Sequence, residues 1–294
     1  MKRFITVTVF AVLACFCFVS CGGNLDLVSL ITGSEEITYE IENGEATVTK
    51  VPNKTTVTKI VIPDEYEGVP VTKIADFAAV NLEYVTEITI GKNVREISDW
   101  AFGNSKRIVK YDVDDANPYI CDVDGVLFTK DMKTLLFYPP ARGAVAEKNA
   151  DGTVKKDESG NTVRTITYVI PEGVETVRSK AFYKCYDMKH LTLPSTLKYI
   201  EEKAFFSCNL QEISLPDGLE TIGKDAFAFN SEATEITIPA SVTRIDEFAF
   251  YTCTSMLKLT MLCKESEVNL GERWYPTNNG QKLSPVESEI IWPK

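Results

Sequence analysis

An Ala-Phe pair recurs through the second half of this chain at a nearly constant interval. The phenylalanines of the four regular copies are Phe182, Phe205, Phe227 and Phe250, at intervals of 23, 22 and 23 residues, and an earlier copy contains Phe102. A fixed period of this length is typical of stacked repeats, in which each unit packs only on its neighbours. The sequence therefore predicts an elongated solenoid, and its 294 residues need not form ordinary globular domains.

Each repeat contains the same three parts. An alternating segment, such as Ile236-Thr237-Ile238, predicts a β strand with one buried and one exposed face. Proline closes this strand in most copies, because it cannot donate a hydrogen bond within a sheet. A second apolar pair follows, for example Val242 and Ile245, and a short helical turn then carries the Ala-Phe pair. We expect the phenylalanines to align in a single file between the coils.

A cysteine or an asparagine follows each regular Ala-Phe pair by three residues. The residues at this position are Cys185, Cys208, Asn230 and Cys253. We expect their side chains to donate hydrogen bonds to backbone carbonyls of the neighbouring coil, and the cysteines to be small buried thiols. A disulfide between Cys185 and Cys208 is the alternative in an oxidising compartment. No zinc or other metal site is expected, because no Cys-x-x-Cys pair is present.

The order of these elements resembles a known family. Ile-x-Ile/Leu-Pro, Val/Leu-x-x-Ile and Ala-Phe-x-x-Cys/Asn are similar to the BspA-like, Treponema-type leucine-rich repeat across residues 57–262. The resemblance implies a leucine-rich-repeat solenoid, rich in β structure, that forms a right-handed, curved superhelix on a bacterial surface. It also implies a binding role, since several members of that family resemble adhesins.

Irregular segments begin, interrupt and end the repeats, as a solenoid with covered ends requires. Asn43-Gly44 indicates a hairpin before the first repeat, and Trp274, Tyr275 and Trp292 either cover the last coil or form a partner site. The predicted division is a signal peptide at 1–20, a linker at 21–33, an N-terminal cap hairpin at 34–56, repeats one and two at 57–109, a β-hairpin insertion at 110–165, repeats three to six at 166–262, and a C-terminal cap at 263–294.

The N-terminus predicts export. Lys2 and Arg3 precede an apolar run that is short for a membrane span, and Ser20-Cys21-Gly22-Gly23 follows it. This ending resembles a bacterial lipobox, although Phe18 stands where such motifs prefer leucine. We expect lipidation of Cys21, which would anchor the protein to a membrane, with the outer membrane or cell surface as its expected location. Ordinary secretion with cleavage near Ser20 is the alternative.

The composition and motifs argue against several functions. The chain carries 31 basic and 42 acidic residues, a net charge of −11, which disfavours nucleic acid as a partner. His190 is the only histidine, and no Gly-x-Ser-x-Gly elbow or phosphate-binding glycine loop is present. Asp112, Asp114, Asp122 and Asp124 lack the calcium-loop pattern and are expected to form turns. We therefore expect no catalytic residues and no cofactor.

The outward side chains of the stacked strands form a polar, hydroxyl-rich face of the kind that solenoids use for binding. The candidate ligand-binding residues on this face are His190, Thr192, Glu212, Ser214, Glu235, Thr237 and Lys258. The main hypothesis is an adhesin-like surface protein that binds an extracellular protein ligand, of a host or a neighbouring cell, through this face or the inserted hairpin. The alternative is a structural or glycan-binding accessory lipoprotein of the envelope.

Overall fold

The computed structural model describes residues 37–278, 281–282 and 289–293, which form a solenoid of short stacked β strands. This confirms the architecture that the repeat predicts. The first part of the solenoid contains β1 (Thr38–Glu42), β2 (Glu45–Lys50), β3 (Lys59–Ile62), β4 (Glu65–Tyr66), β5 (Val69–Ile74), β6 (Glu87–Ile90), β7 (Glu96–Ile97) and β8 (Lys110–Val113). The interruption contains β9 (Ile120–Val123), β10 (Val126–Thr129), β11 (Thr134–Phe137) and β12 (Val145–Ala146).

The regular repeats form the remainder of the described chain. Their strands are β13 (Arg164–Val169), β14 (Thr176–Val177), β15 (Met188–Thr192), β16 (Tyr199–Ile200), β17 (Ile213–Ser214), β18 (Thr221–Ile222), β19 (Glu235–Ile238), β20 (Arg244–Ile245), β21 (Lys258–Met261), β22 (Asn269–Leu270), β23 (Thr277–Asn278), β24 (Gln281–Lys282) and β25 (Glu289–Ile291). The one helical segment among the described residues is a single 3-10 turn at Glu265–Glu267.

Two parallel ladders of strands run along the solenoid. The first ladder comprises the opening strand of each coil, in three sheets: β3-β6-β8, then β13-β15 with β12 at its edge, then β17-β19-β21-β25. The second ladder comprises the next strand of each coil, with β5-β7 before the interruption and β11-β14-β16-β18-β20-β22 after it. Because β8 pairs in parallel with β6, the first ladder continues into the 110–165 segment.

The Ala-Phe segments form hydrogen-bonded turns and not the short helical turns expected from the sequence. Their backbones make a third series of contacts, here called the turn ladder, in which Phe182 N donates to Ala204 O and Phe205 N to Ala226 O, each at 2.8 Å. Left-handed residues flank each of the four regular turns, as Lys203 (φ 56°) and Ser207 (φ 58°) do around Phe205. A right-handed helix cannot continue through such residues.

Four phenylalanines form the single file that the spacing predicts. The ring centroids of Phe182 and Phe205 are 5.1 Å apart, those of Phe205 and Phe227 are 5.2 Å apart, and those of Phe227 and Phe250 are 5.6 Å apart. All four side chains are fully buried. Phe102 lies outside this file, since Tyr138 is the ring that stacks on Phe182 at its N-terminal end.

The residues after the Ala-Phe pairs bond to the preceding coil. Cys208 donates from Sγ to Phe182 O at 3.0 Å, and Cys253 donates to Phe227 O at 3.2 Å. Both thiols are buried and free, as is Cys185. Burial raises the pKa of the Cys253 thiol to about 12. Cys208 and Cys253 therefore occur as the small buried donors that the sequence predicts, and all three cysteines of this position are free thiols.

The interruption separates two apolar cores. Strands β9, β10 and β11 form an antiparallel meander, here called the meander, whose side chains alternate between its faces. Leu127 and Phe137 pack into the core of the preceding coils, whereas Val126 and Phe128 pack into the core of the following coils. The meander therefore ends one stack and begins the next.

Both ends of the described solenoid are covered. At the N-terminal end, β1 and β2 form an antiparallel hairpin whose turn residues, Asn43 and Gly44, both have positive φ, as the sequence predicts. At the other end, Trp274 is buried, and its carbonyl accepts a hydrogen bond from Phe250 N at 3.0 Å. Trp292 packs edge-to-face on Trp274. These rings cover the last coil.

Candidate functional site

The seven candidate residues of the strand face all lie on the outer side of the first ladder. All are exposed: His190, Thr192, Glu212, Ser214, Glu235, Thr237 and Lys258. Their exposure results from the alternation of each strand, because the intervening Ile236 and Leu259 are buried. The sequence pattern thus places these side chains on the surface, and it leaves their use to be tested.

The structure divides the seven residues into two groups. His190 and Thr192 lie on β15, which pairs with β13, and no ladder pairing joins β15 to β17 within the described residues. The other five belong to the four-stranded sheet of β17, β19, β21 and β25 or directly precede it. There Ser214 is in register with Thr237, and Glu235 is in register with Lys258.

Three of the candidates share a depression on this sheet. Ser214, Glu235 and Thr237 line it, together with Asp217 and Leu262 and the edges of the buried strand residues. The sequence analysis did not include Leu262 among the candidate ligand-binding residues. In the structure its side chain is 50% exposed. Large apolar side chains that remain on the surface beside polar groups are typical of interaction sites. The signal for Leu262 is its place directly after β21, where alternation turns it outward.

The charged candidate residues of this sheet differ from several charged residues elsewhere on the ladders, which form ion pairs. In the first part of the solenoid, Lys59 pairs with Glu87 at 2.7 Å and Lys110 with Asp112 at 2.8 Å. On the second ladder, Lys198 pairs with Glu175 at 3.1 Å. Within the described residues, the three charged candidates of the four-stranded sheet form no ion pair: Glu212, Glu235 and Lys258.

The surroundings of His190 give no indication of catalysis. It is exposed on β15, in register with Thr167, and no hydrogen bond from its ring to a carboxylate occurs in the described part of the chain. A histidine that acts as a base needs an orienting partner. The position fits a solvated residue of the strand face.

The aspartates between residues 112 and 124 serve local structure. Asp122 accepts hydrogen bonds from Val113 N at 2.8 Å and Gly125 N at 3.1 Å, which holds the β9–β10 turn. Asp114 accepts one from Ala116 N at 2.8 Å. Across the described ranges, no group of three His, Cys, Asp or Glu side chains is arranged to hold a metal ion.

Two further observations concern the membrane. Cys21, the candidate for lipidation, lies outside the described residues. In the part of the chain that the structure does describe, no helix has the length and hydropathy of a membrane span.

The stacked strands, the phenylalanine file and the buried Cys/Asn position together define a leucine-rich-repeat solenoid. A sequence profile described as "BspA type Leucine rich repeat region" matches six copies, in residues 51–122 and 160–271. These ranges exceed half of the chain, which therefore belongs to the BspA-type leucine-rich repeat family. Membership of this family indicates a role in protein interaction. The unmatched residues 123–159 contain most of the meander and the polar segment after it.

Solved structures of other leucine-rich repeat proteins are similar to this chain. A leucine-rich repeat protein from Eubacterium ventriosum ATCC 27560 is 19% identical over 73% of this chain and 55% of its own, with a TM-score of 0.52. This chain thus spans little more than half of that protein. A leucine rich cell surface protein from Faecalibacterium prausnitzii A2-165 is 21% identical over 88% of this chain and 75% of its own, with a TM-score of 0.43. A search of curated proteins found no match.

Proposed function

We propose that this protein is a surface-anchored, adhesin-like binding protein that engages an extracellular protein ligand through the four-stranded sheet of the first ladder. The observation that carries the proposal is the depression in which Ser214, Glu235 and Thr237 meet beside Leu262. It combines hydroxyl groups, an uncommitted carboxylate and exposed apolar surface in one place. Protein ligands are bound by such mixtures of apolar contact and directed polar groups.

The rigidity of the sheet supports this role. Each strand of the site pairs in register with its neighbours, and the buried side chains beneath it belong to one continuous core. A surface whose backbone is already fixed by strand pairing loses little backbone entropy when a ligand binds. The site is therefore ready for a partner without rearrangement.

The test compares two charge reversals that are equal in sign and size. Glu235→Arg alters the depression, whereas Glu42→Arg alters an exposed residue of the N-terminal hairpin, at the opposite end of the solenoid. Each full-length variant is used to capture extracellular matrix and cell-surface proteins in a pull-down with mass spectrometry. We expect the unaltered chain and Glu42→Arg to retain the same protein, and Glu235→Arg to lose it while its melting temperature is unchanged.

Two results would contradict this function. Equal capture by both variants would exclude the depression as the ligand site. Binding on a glycan array without any protein capture would favour a glycan-binding accessory protein of the envelope instead.

Surface anchoring is a separate part of the proposal and rests on Cys21. Metabolic labelling with a fatty acid should mark the full chain and fail to mark Cys21→Ala. Protease added to whole cells should remove the protein if it faces outward. Labelling that persists in Cys21→Ala would contradict lipidation at this residue.

A further inference from the structure

The turn ladder is interrupted at one place, and a cleft opens there. Before the interruption, Ala79 N donates to Ala101 O at 2.8 Å, and after it Phe182 N donates to Ala204 O at 2.8 Å. Among the described residues, no backbone hydrogen bond joins the turn at 100–105 to the turn at 180–185. The meander lies between these two coils and separates their turns. We name this opening the junction cleft.

Side chains from both stacks line the junction cleft. The enclosed part of the cleft is small, with about 30 Å³ accessible to the centre of a water-sized sphere. Its aromatic walls include Trp100 and Tyr183, whose ring centroids are 5.0 Å apart in an edge-to-face contact. Phe102 and Tyr138 lie deeper in the same cleft. A concave site that combines aromatic side chains with a few charged groups is typical of ligand-binding clefts.

The charge of the junction cleft is opposite to that of the whole chain. Its lining contains three lysines, Lys106, Lys180 and Lys184, and a single carboxylate, that of Asp99. The complete chain has a net charge of −11. A local excess of positive charge in an acidic protein requires a specific reason, and an anionic ligand is a direct one.

The one carboxylate does not neutralise these lysines. Asp99 is held by Arg178 at 2.7 Å, whereas Lys180 Nζ is 3.8 Å from it. Lys180 is only 8% exposed, and its Nζ donates to Ser179 Oγ at 3.0 Å and lies 4.9 Å from the ring centre of Trp100. The hydroxyl, the aromatic face and the carboxylate at 3.8 Å compensate this buried ammonium in part, and a carboxylate closer to Nζ would compensate it more fully.

The other two lysines of the cleft contact aromatic rings. Lys106 Nζ is 4.9 Å from the ring centre of Tyr186, and Lys184 Nζ is 5.2 Å from that of Tyr183. Neither forms an ion pair within the described residues. Lysines further along the turns differ: Lys224 pairs with Glu247 at 2.7 Å, and Lys203 with Asp225 at 3.0 Å.

We propose that the junction cleft binds carboxylate side chains of an acidic polypeptide segment, with Lys106, Lys180 and Lys184 as the charged contacts. Ammonium–carboxylate hydrogen bonds are stronger than neutral ones, and the aromatic walls reduce their screening by water. Nucleic acid is a poorer fit, because the rest of this acidic chain offers no extended basic track for its phosphates. This site adds a second contact to the proposed function and does not depend on the strand face.

The test measures binding of a fluorescent oligoglutamate peptide to the full chain at low salt, by fluorescence anisotropy. Replacing Lys106 and Lys184 together by glutamine should weaken binding about tenfold or more, since charged hydrogen bonds are lost. Lys224→Gln is the matched control and should bind as the unaltered chain does. Oligoglutamine should not bind. Near-ultraviolet circular dichroism verifies that each variant is folded.

The proposal would be overturned by absence of oligoglutamate binding to the unaltered chain, by retained binding in the double variant, or by an equal loss in Lys224→Gln. The experiment is separate from the test of the strand face. Glu235→Arg should leave oligoglutamate binding within about twofold, because the depression and the junction cleft share no residue. Failure of either site can therefore be recognised independently.

Discussion

The Nδ2 atom of Asn230 lies 2.8 Å from the carbonyl oxygen of Phe205 on the preceding coil. The same amide group also donates to Phe227 O at 2.8 Å, and its Oδ1 accepts from Leu210 N at 3.0 Å. Asn230 therefore satisfies three buried backbone groups, whereas the thiol of Cys253, at the equivalent position, donates to one carbonyl. Asparagine and cysteine therefore occupy the same position of the repeat but form different numbers of hydrogen bonds.

Asn230→Ala should consequently destabilise the protein more than Cys253→Ala does. The first change leaves Phe205 O and Leu210 N without the side chain that pairs them, whereas Phe227 O keeps the bond from Cys253, and each unpaired buried group costs about 1–3 kcal/mol. The second removes one weak donor and a small apolar volume. Urea unfolding followed by circular dichroism measures both. Equal midpoints for the two variants would show that the amide hydrogen bonds contribute little.

Phe227→Ala should be among the most destabilising single changes in the regular repeats. Phe227 is enclosed by Phe205 on one side and Phe250 on the other, and truncation of such a ring costs about 3–5 kcal/mol. Phe229, two residues later, is 38% exposed and provides the control. Phe229→Ala should have a much smaller effect on the same unfolding curve. A small loss at Phe227 would mean that the coils collapse to fill the space.

Ser207→Gly should stabilise the protein. Ser207 has a φ of 58°, a left-handed conformation that costs an L-residue about 1–2 kcal/mol and costs glycine little. The greater freedom of glycine in the unfolded chain offsets part of this gain, so a net increase of about 1 kcal/mol is expected. Ser214→Gly, in strand β17, should instead destabilise. A decrease in stability for Ser207→Gly would contradict the assignment of backbone strain at this turn.

The stability of the segment after the meander should depend on pH through Glu147. Hydrogen bonds from Lys189 at 2.8 Å, Thr165 at 2.5 Å and Lys155 at 3.0 Å lower the pKa of this carboxyl from 4.5 to about 2. Because the pKa is lower in the folded state, its stabilising contribution is complete above about pH 4.5 and is lost as the pH falls through about 2.

The comparison with Glu147→Gln isolates this effect from other titrations. The unaltered chain should melt at a higher temperature than the variant near neutral pH, and the difference should diminish as the pH approaches about 2. A difference that stayed constant across this range would show that the Glu147 charge does not contribute.

The repeat predicts those features that depend on residues one coil apart. The phenylalanine file, the buried Cys/Asn position and the exposure of Glu235 and Thr237 all result from a period near 23 and from strand alternation. The turn ladder could not be predicted, because a left-handed conformation is usually recognised in a sequence by glycine, and Lys203 and Ser207 are not glycines. Their conformation is imposed by hydrogen bonds to the next coil, which no local propensity describes.

The junction cleft was also outside the reach of the sequence. It is formed by residues such as Asp99 and Lys180, which come together only because the meander occupies the chain between them. Asn117 presents the same difficulty: it is fully buried and donates to Gly91 O at 3.0 Å and Val94 O at 2.8 Å. The repeat period predicts contacts between adjacent coils of one stack, and it does not predict contacts that an interruption creates.

The two faces of the meander have a consequence for how this architecture can vary. Leu127 and Phe137 complete one core, and Val126 and Phe128 complete the other. The packing of each core is therefore independent of how many coils lie on the other side of the meander. Coils could be gained or lost on one side by duplication or deletion while the packing on the other side is preserved. The length of the binding surface and the geometry of the cleft are thereby free to change independently.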